Sequence, residues 1–215
     1  MRRLLYVPIV HDEADLGGAG AALARESTRL AGRRRWARHQ RALGQFWQQV
    51  EAFLQLFEAS RLKVYQDGLP AGDDVGRRIV QEAATRGSRN HRLLLHLLER
   101  GAELRQTEDP RLLWRERQRL LAPEGEAASG RGGADHLLAE RDAFIAQTIN
   151  STLREGEVGV LFIGAYHQIA PYLDQDIAVE AVKEPEKMKA YFEALLLGRE
   201  AERLEELARY VGSPI

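Results

Sequence analysis

The chain contains no cysteine among its 215 residues. That excludes disulfides, thiolate metal sites and cysteine nucleophiles, so any metal would be held by His, Asp, Glu, carbonyl oxygen or water. Charge of one sign is also missing: 31 Lys and Arg balance 32 Asp and Glu, for a net charge of -1. Such a balance gives no global attraction to nucleic acid or to an anionic membrane. No apolar run approaches the roughly 20 residues of a membrane helix. The opening run after Met1-Arg2-Arg3 is short for a signal-peptide core and has no small-residue cleavage site behind it. A cytoplasmic location without membrane or nucleic-acid partners is therefore the expectation. Several motifs are absent too. No phosphate-binding glycine loop with lysine follows a strand, Gly17-Gly18-Ala19-Gly20 lacks the spacing of a dinucleotide fingerprint, and there is no Gly-x-Ser-x-Gly elbow.

What is present is enough for a folded domain. Hydrophobic residues make up 44% and charged residues 29%, and the length suits a single domain spanning 1–215. Strand-like apolar runs alternate with helical patterns, which predicts an α/β fold with a mainly parallel sheet of about five strands flanked by helices. The strands are expected near 3–10, 62–65, 102–105, 158–163 and 177–182. A long helical insertion, 22–59, follows the first strand. Within it Trp36, Leu43, Phe46, Trp47, Val50, Phe53, Leu54 and Phe57 recur at spacings of three and four, with Gly32 and Gly44 placed to bend or divide it. Helices are expected over 75–86, 89–100, from Pro110, over 135–154, briefly after His167, and over 186–210. The composition of 122–133 suits a flexible loop or lid.

The first and fourth strands each run into a histidine, His11 and His167. In a parallel sheet, ligands bind beyond the carboxyl ends of the strands. Imidazoles there suit a divalent metal or acid–base chemistry. Carboxylates accumulate at the same edge: Asp12, Glu13 and Asp15, then Asp67, then Glu108 and Asp109. Acids after strands are also ordinary helix caps. Side-chain alternation pairs His11 with Glu13 or Asp15 rather than with all three acids. Asp67 is the next candidate, with an Asx turn as its structural role. Gly164 permits a sharp turn or a close approach to a ligand. Arg141 lies on the helix before the fourth strand, either facing solvent or reaching into the crevice to hold an anion or a developing oxyanion. Arg33-Arg34-Arg35 with Trp36 and Arg38 points around a helix rather than forming one patch.

Glu140-Arg141-Asp142, the helix that follows, and the strand ending in Gly164-Ala165-Tyr166-His167 together resemble the TraB/Tiki group of the erythromycin esterase-like and ChaN-like superfamily. Its pattern is an arginine-bearing helix, then an apolar strand ending in Gly-x-x-His; Leu173, Ile177 and Val179 suit its next helix–strand unit. Pro8 stands where the family's first strand has glycine, and Gln66-Asp67 where its second strand ends in glutamate. The resemblance implies a strand-end site. Tiki-like members are similar to metal-dependent proteases that use paired histidines, and ChaN-like members bind haem.

The resulting expectation is a metal-dependent hydrolase of peptide or ester bonds. His11 and His167 would be metal ligands, Glu13, Asp67 and Arg141 catalytic groups, and Gly164 part of the binding site; the substrate would be a small molecule or peptide. The alternative is a non-catalytic ligand-binding or regulatory protein that takes haem or another small molecule. Trp36, Phe46, Trp47 and Tyr191 suit either the core or a homodimer face.

Overall fold

The computed structural model describes residues 1–9, 33–121, 131–197 and 201–215. Five strands form one all-parallel sheet: β1 (Arg2–Ile9), β2 (Leu62–Gln66), β3 (Glu103–Arg105), β4 (Val158–Gly164) and β5 (Ile177–Ala181). Their spatial order is β3-β2-β4-β1-β5. β4 therefore sits in the centre, with Leu161 beside Tyr6 of β1 on one side and Tyr65 of β2 on the other. The near-continuous apolar runs of β1 and β4 are what a strand covered on both faces requires.

Seven helices lie among the described residues: α1 (Arg33–Leu54), α2 (Asp73–Thr85), α3 (Arg89–Glu99), α4 (Pro110–Leu121), α5 (Arg131–Thr152), α6 (Pro185–Leu197) and α7 (Ala201–Gly212). Alternation along the strands divides the core into two layers. Leu5, Val7, Val64, Val160 and Phe162 face Leu43, Phe46, Val50 and Leu54 of α1, together with residues of α2, α3, α6 and α7. Leu4, Tyr6, Tyr65, Leu161 and Ile163 point the other way, onto Ile145 and Ile149 of α5 and Leu153 just after it. Each of those buried aliphatic side chains contributes roughly 1.5–3 kcal/mol.

Several helix boundaries follow from local chemistry. The Ser88 hydroxyl accepts the His91 N–H at 3.2 Å and caps α3. Asp109 accepts the Arg111 N–H at 2.8 Å, and Pro110 occupies the first position of α4. At the far end, the buried Lys183 ammonium, just beyond β5, donates to the carbonyls of Tyr210, Ser213 and Pro214 at 2.8–3.2 Å. A cation there satisfies the unpaired carbonyls that close α7.

Four sequence expectations change. α1 runs unbroken through Gly44, because packing of its apolar stripe outweighs the roughly 1 kcal/mol that one glycine costs. Residues 131–133 belong to α5 rather than to a loop; glycines are cheapest in a first turn, where N–H groups lack intrahelical partners anyway. The remainder of the expected lid, 122–130, and 22–32 of the helical insertion lie outside the described residues. The single C-terminal helix is two, α6 and α7, packed on each other. The helix expected after His167 is one 3-10 turn, Ala170–Tyr172, with Pro171 inside it. Phe46, Trp47 and Tyr191 are buried in the core, so they present no outward face. No helix among the described residues is long and apolar enough to cross a membrane.

Candidate functional site

β2 and β4 are neighbours whose chains leave the sheet in opposite directions. After β2 the chain passes through α2 and α3 to β3; after β4 it crosses to β5 on the opposite face. Such a divergence opens a crevice at the carboxyl end of the sheet. Asp67 follows β2 and His167 follows β4, so the crevice is flanked by a carboxylate and an imidazole.

Two consecutive residues of α5 complete the site from below. Successive helical residues point about 100° apart, and here that angle sends Arg141 and Asp142 to different partners. The Asp142 carboxylate accepts the Gln168 backbone N–H at 2.8 Å and lies 2.5 Å from His167 Nδ1. The other ring nitrogen, Nε2, lies 3.2 Å from Asp67 Oδ2. His167 is thus held between two carboxylates. Burial works against its charge, but the hydrogen bonds and charges of Asp142 and Asp67 prevail and raise it to about 9. At neutral pH it is an imidazolium.

Arg141 is only 8% exposed, and its guanidinium meets three carboxylates. Nε and Nη2 donate to Glu108 at 2.6–3.2 Å, Nη2 to Asp67 Oδ1 at 2.9 Å, and Nη1 to Glu116 at 3.1 and 3.3 Å. For Asp67, burial opposes ionisation; His167, Arg141 and the Gly164 N–H at 3.2 Å overcome it and hold the carboxyl well below the usual range. Glu108, fully buried, is pushed up by its burial even though Arg141 pulls the other way. Tyr6, buried beneath the site, is pushed up to about 12 by its burial and by the nearby Asp142 and Asp67 charges, so its hydroxyl stays protonated.

Backbone and amide contacts fix the carboxylates further. The Gly68 N–H donates to Glu108 at 3.2 Å. Gln66, held by Asn90 Nδ2 at 2.8 Å, donates from its own Nε2 to the Asp67 carbonyl at 3.0 Å. Gly164 lies close against the site: a Cβ there would make a tight contact, 3.3 Å, with Asp67 Oδ2 and an ordinary one, 3.5 Å, with His167 Cδ2. The cluster opens into a cavity of about 520 Å³. Asp67, Glu116, Arg141, Tyr166 and His167 are on its wall, and Ile79, Ala83, Leu113 and Leu138 give it an apolar side.

Of the residues predicted from sequence, Asp67, Arg141, Gly164 and His167 meet in this one place. His11 and Glu13 lie outside the described residues. Glu108 was placed at the strand edge by sequence but given no role, and Asp142 and Glu116 were passed over as site residues. One signal was available on α5: Leu137, Arg141, Ile145, Ile149 and Leu153 are four apart, so Arg141 occupies a core position in a ladder of buried aliphatics. A cation there needs buried anions. Nothing in the sequence identifies Glu116 as one of them.

A metal would draw on His167 Nε2 and Asp67, with Asp142 orienting the ring from behind as outer carboxylates commonly do. Among the described residues no three His, Asp or Glu side chains are grouped to hold an ion, so these two donors fit only part of a catalytic metal site. No protein-family model, curated protein or solved structure matches the chain.

Proposed function

We propose that the protein hydrolyses ester or amide bonds in the cavity between β2 and β4, with His167 as the proton-transfer group. The observation that carries this reading is the line Asp142–His167–Asp67, a buried acid–imidazolium–acid array at a cavity wall. In the reaction, water adds to the carbonyl carbon and its proton passes to Asp67 as the imidazolium is discharged. His167 protonates the departing oxygen or nitrogen from Nε2 as the bond to it breaks. Once the imidazolium is discharged, the carboxyl opposite it becomes more basic, because the two titrations are linked. Asp67 then returns its proton across the 3.2 Å gap, and the cycle closes. Asp142 is a positioning residue throughout. Asp67 stands where the TraB/Tiki-like group that the sequence resembles has glutamate.

A panel of p-nitrophenyl esters and anilides tests this. Turnover by the wild type should fall at least ~100-fold in His167→Asn, the usual scale for a lost acid–base group. It should also decline as pH rises through about 9, where the imidazolium loses its proton. Absence of turnover across the panel, or turnover undiminished in His167→Asn, would sink the proposal.

A second reading rests on Asp142 backing the imidazole. A divalent ion would be held by His167 and Asp67, and it would supply a polarised water. Activity that is lost on chelation and restored by added divalent ion would favour it. Folded protein that binds ligands without turnover would favour the ligand-binding alternative.

A further inference from the structure

We propose that Glu116 is a specificity residue: it occupies the anion-binding side of Arg141, so that the cavity accepts neutral or cationic acyl groups and rejects carboxylates. The inference rests on the cavity being the substrate site. An arginine at a cavity wall is ordinarily a receptor for a carboxylate or phosphate, since its planar fork matches either one. Here the fork is already filled. Nε and Nη2 are taken by the fully buried Glu108 and by Asp67. Nη1 is taken by Glu116 of α4, which lines the cavity.

Glu116 differs from the other two. Its side chain is 30% exposed, whereas those of Glu108 and Asp67 are 0% and 11% exposed. It reaches Nη1 from the cavity side and stands where the carboxylate of a substrate would stand. A tethered carboxylate has an effective concentration on the order of millimolar or more, so an anionic ligand at lower concentration does not displace it. The remaining charges point the same way. Four carboxylates (Asp67, Glu108, Glu116 and Asp142) surround two cations, Arg141 and His167. Arg86, the other arginine on the wall, has a 57% exposed side chain with Glu82 4.0 Å away. An added anion would meet carboxylates in excess and no uncommitted buried cation among these residues. The apolar side made by Ile79, Ala83, Leu113 and Leu138 suits an aliphatic or aromatic acyl chain.

Three probes of matched chain length test the charge preference without requiring turnover: hexanamide, hexylammonium and hexanoate. Binding is followed by the amide resonances of Gly68 and Gly164 in a 15N-labelled sample. In the wild type, hexanamide and hexylammonium should bind at least tenfold more tightly than hexanoate. Glu116→Gln should tighten hexanoate about tenfold and change hexanamide less than threefold. Hexanoate binding as tightly as hexanamide in the wild type would overturn the proposal. So would an unchanged ratio in Glu116→Gln, or no binding by any of the three. The wild-type comparison stands even if the variant is unstable. Charge discrimination without hydrolysis of any ester or amide would defeat the catalytic reading and leave the specificity of the cavity intact.

Discussion

Asp142 and Asp67 do different work on one imidazole, and the difference is measurable. Asp142 is 3% exposed and also binds the Gln168 N–H, so it is fixed from two sides. Asp67 faces the cavity and is shared with Arg141. In Asp142→Asn the shape and the Gln168 contact are preserved while one of the two charges that hold the His167 proton is removed. The imidazole should then titrate at least about one unit below its native value of about 9, as read from its 13C–1H resonances against pH. A value left near 9 would mean that Asp142 does not hold that proton. His167 was visible in the sequence because an apolar strand ran straight into it. Asp67 was visible because it closed another strand. Glu108 was visible as an acid beyond a third strand, but its role was not, and Glu116 was not visible at all, because what marks both is the guanidinium they share, and Arg141 lies 33 and 25 residues away along the chain.

α5 and β4 act together as the carrier of the site: one supplies Arg141 and Asp142, the other ends at Gly164, three residues before His167. They pack at Gly159. A Cβ there would lie 2.7 Å from Leu4 Cδ1, 3.2 Å from Leu153 Cδ2 and 3.4 Å from Tyr65 Cε2, between the sheet and the last turn of the helix. Gly159→Ala should therefore destabilise the fold by about 1–3 kcal/mol, the usual cost of overfilling a core. Urea denaturation measures this, and an unchanged midpoint would show that the helix can ride outward freely. Strand and helix positions were largely legible from periodicity and capping residues. The order of the strands was not. Nothing local tells β4 to enter between β1 and β2, although its unbroken apolar run from Val158 to Ile163 marks it as a central strand covered on both faces.

For the molecule as a whole, two buried histidines pull stability in opposite directions with pH. His39 lies against the Tyr191 hydroxyl at 2.8 Å; burial, aided by the charge of Arg89, lowers it to about 4. The unfolded chain binds that proton more readily, so His39 costs stability as pH falls from about 6.5 toward 4. His167 is raised to about 9. Its contribution is complete below about 6.5 and is lost as pH climbs through 9, on the order of 3 kcal/mol for a shift of that size. Stability should accordingly peak near pH 6.5. Denaturation midpoints across pH 4–10 check this: His167→Gln should flatten the alkaline side and His39→Gln the acid side. A profile flat from 6.5 to 9.5 in the wild type would contradict the charged state assigned to His167.

The strand order β3-β2-β4-β1-β5 has a consequence for the birth of the chain. During synthesis β1, β2 and β3 emerge before β4, yet β1 touches neither of the other two: its neighbours are β4 and β5. β4 is the one strand paired with both β1 and β2, so no sheet containing β1 and β2 together can close before residues 158–164 have been made. The strand that joins the two parts of the sheet is also the one that leads into His167, beside Asp67.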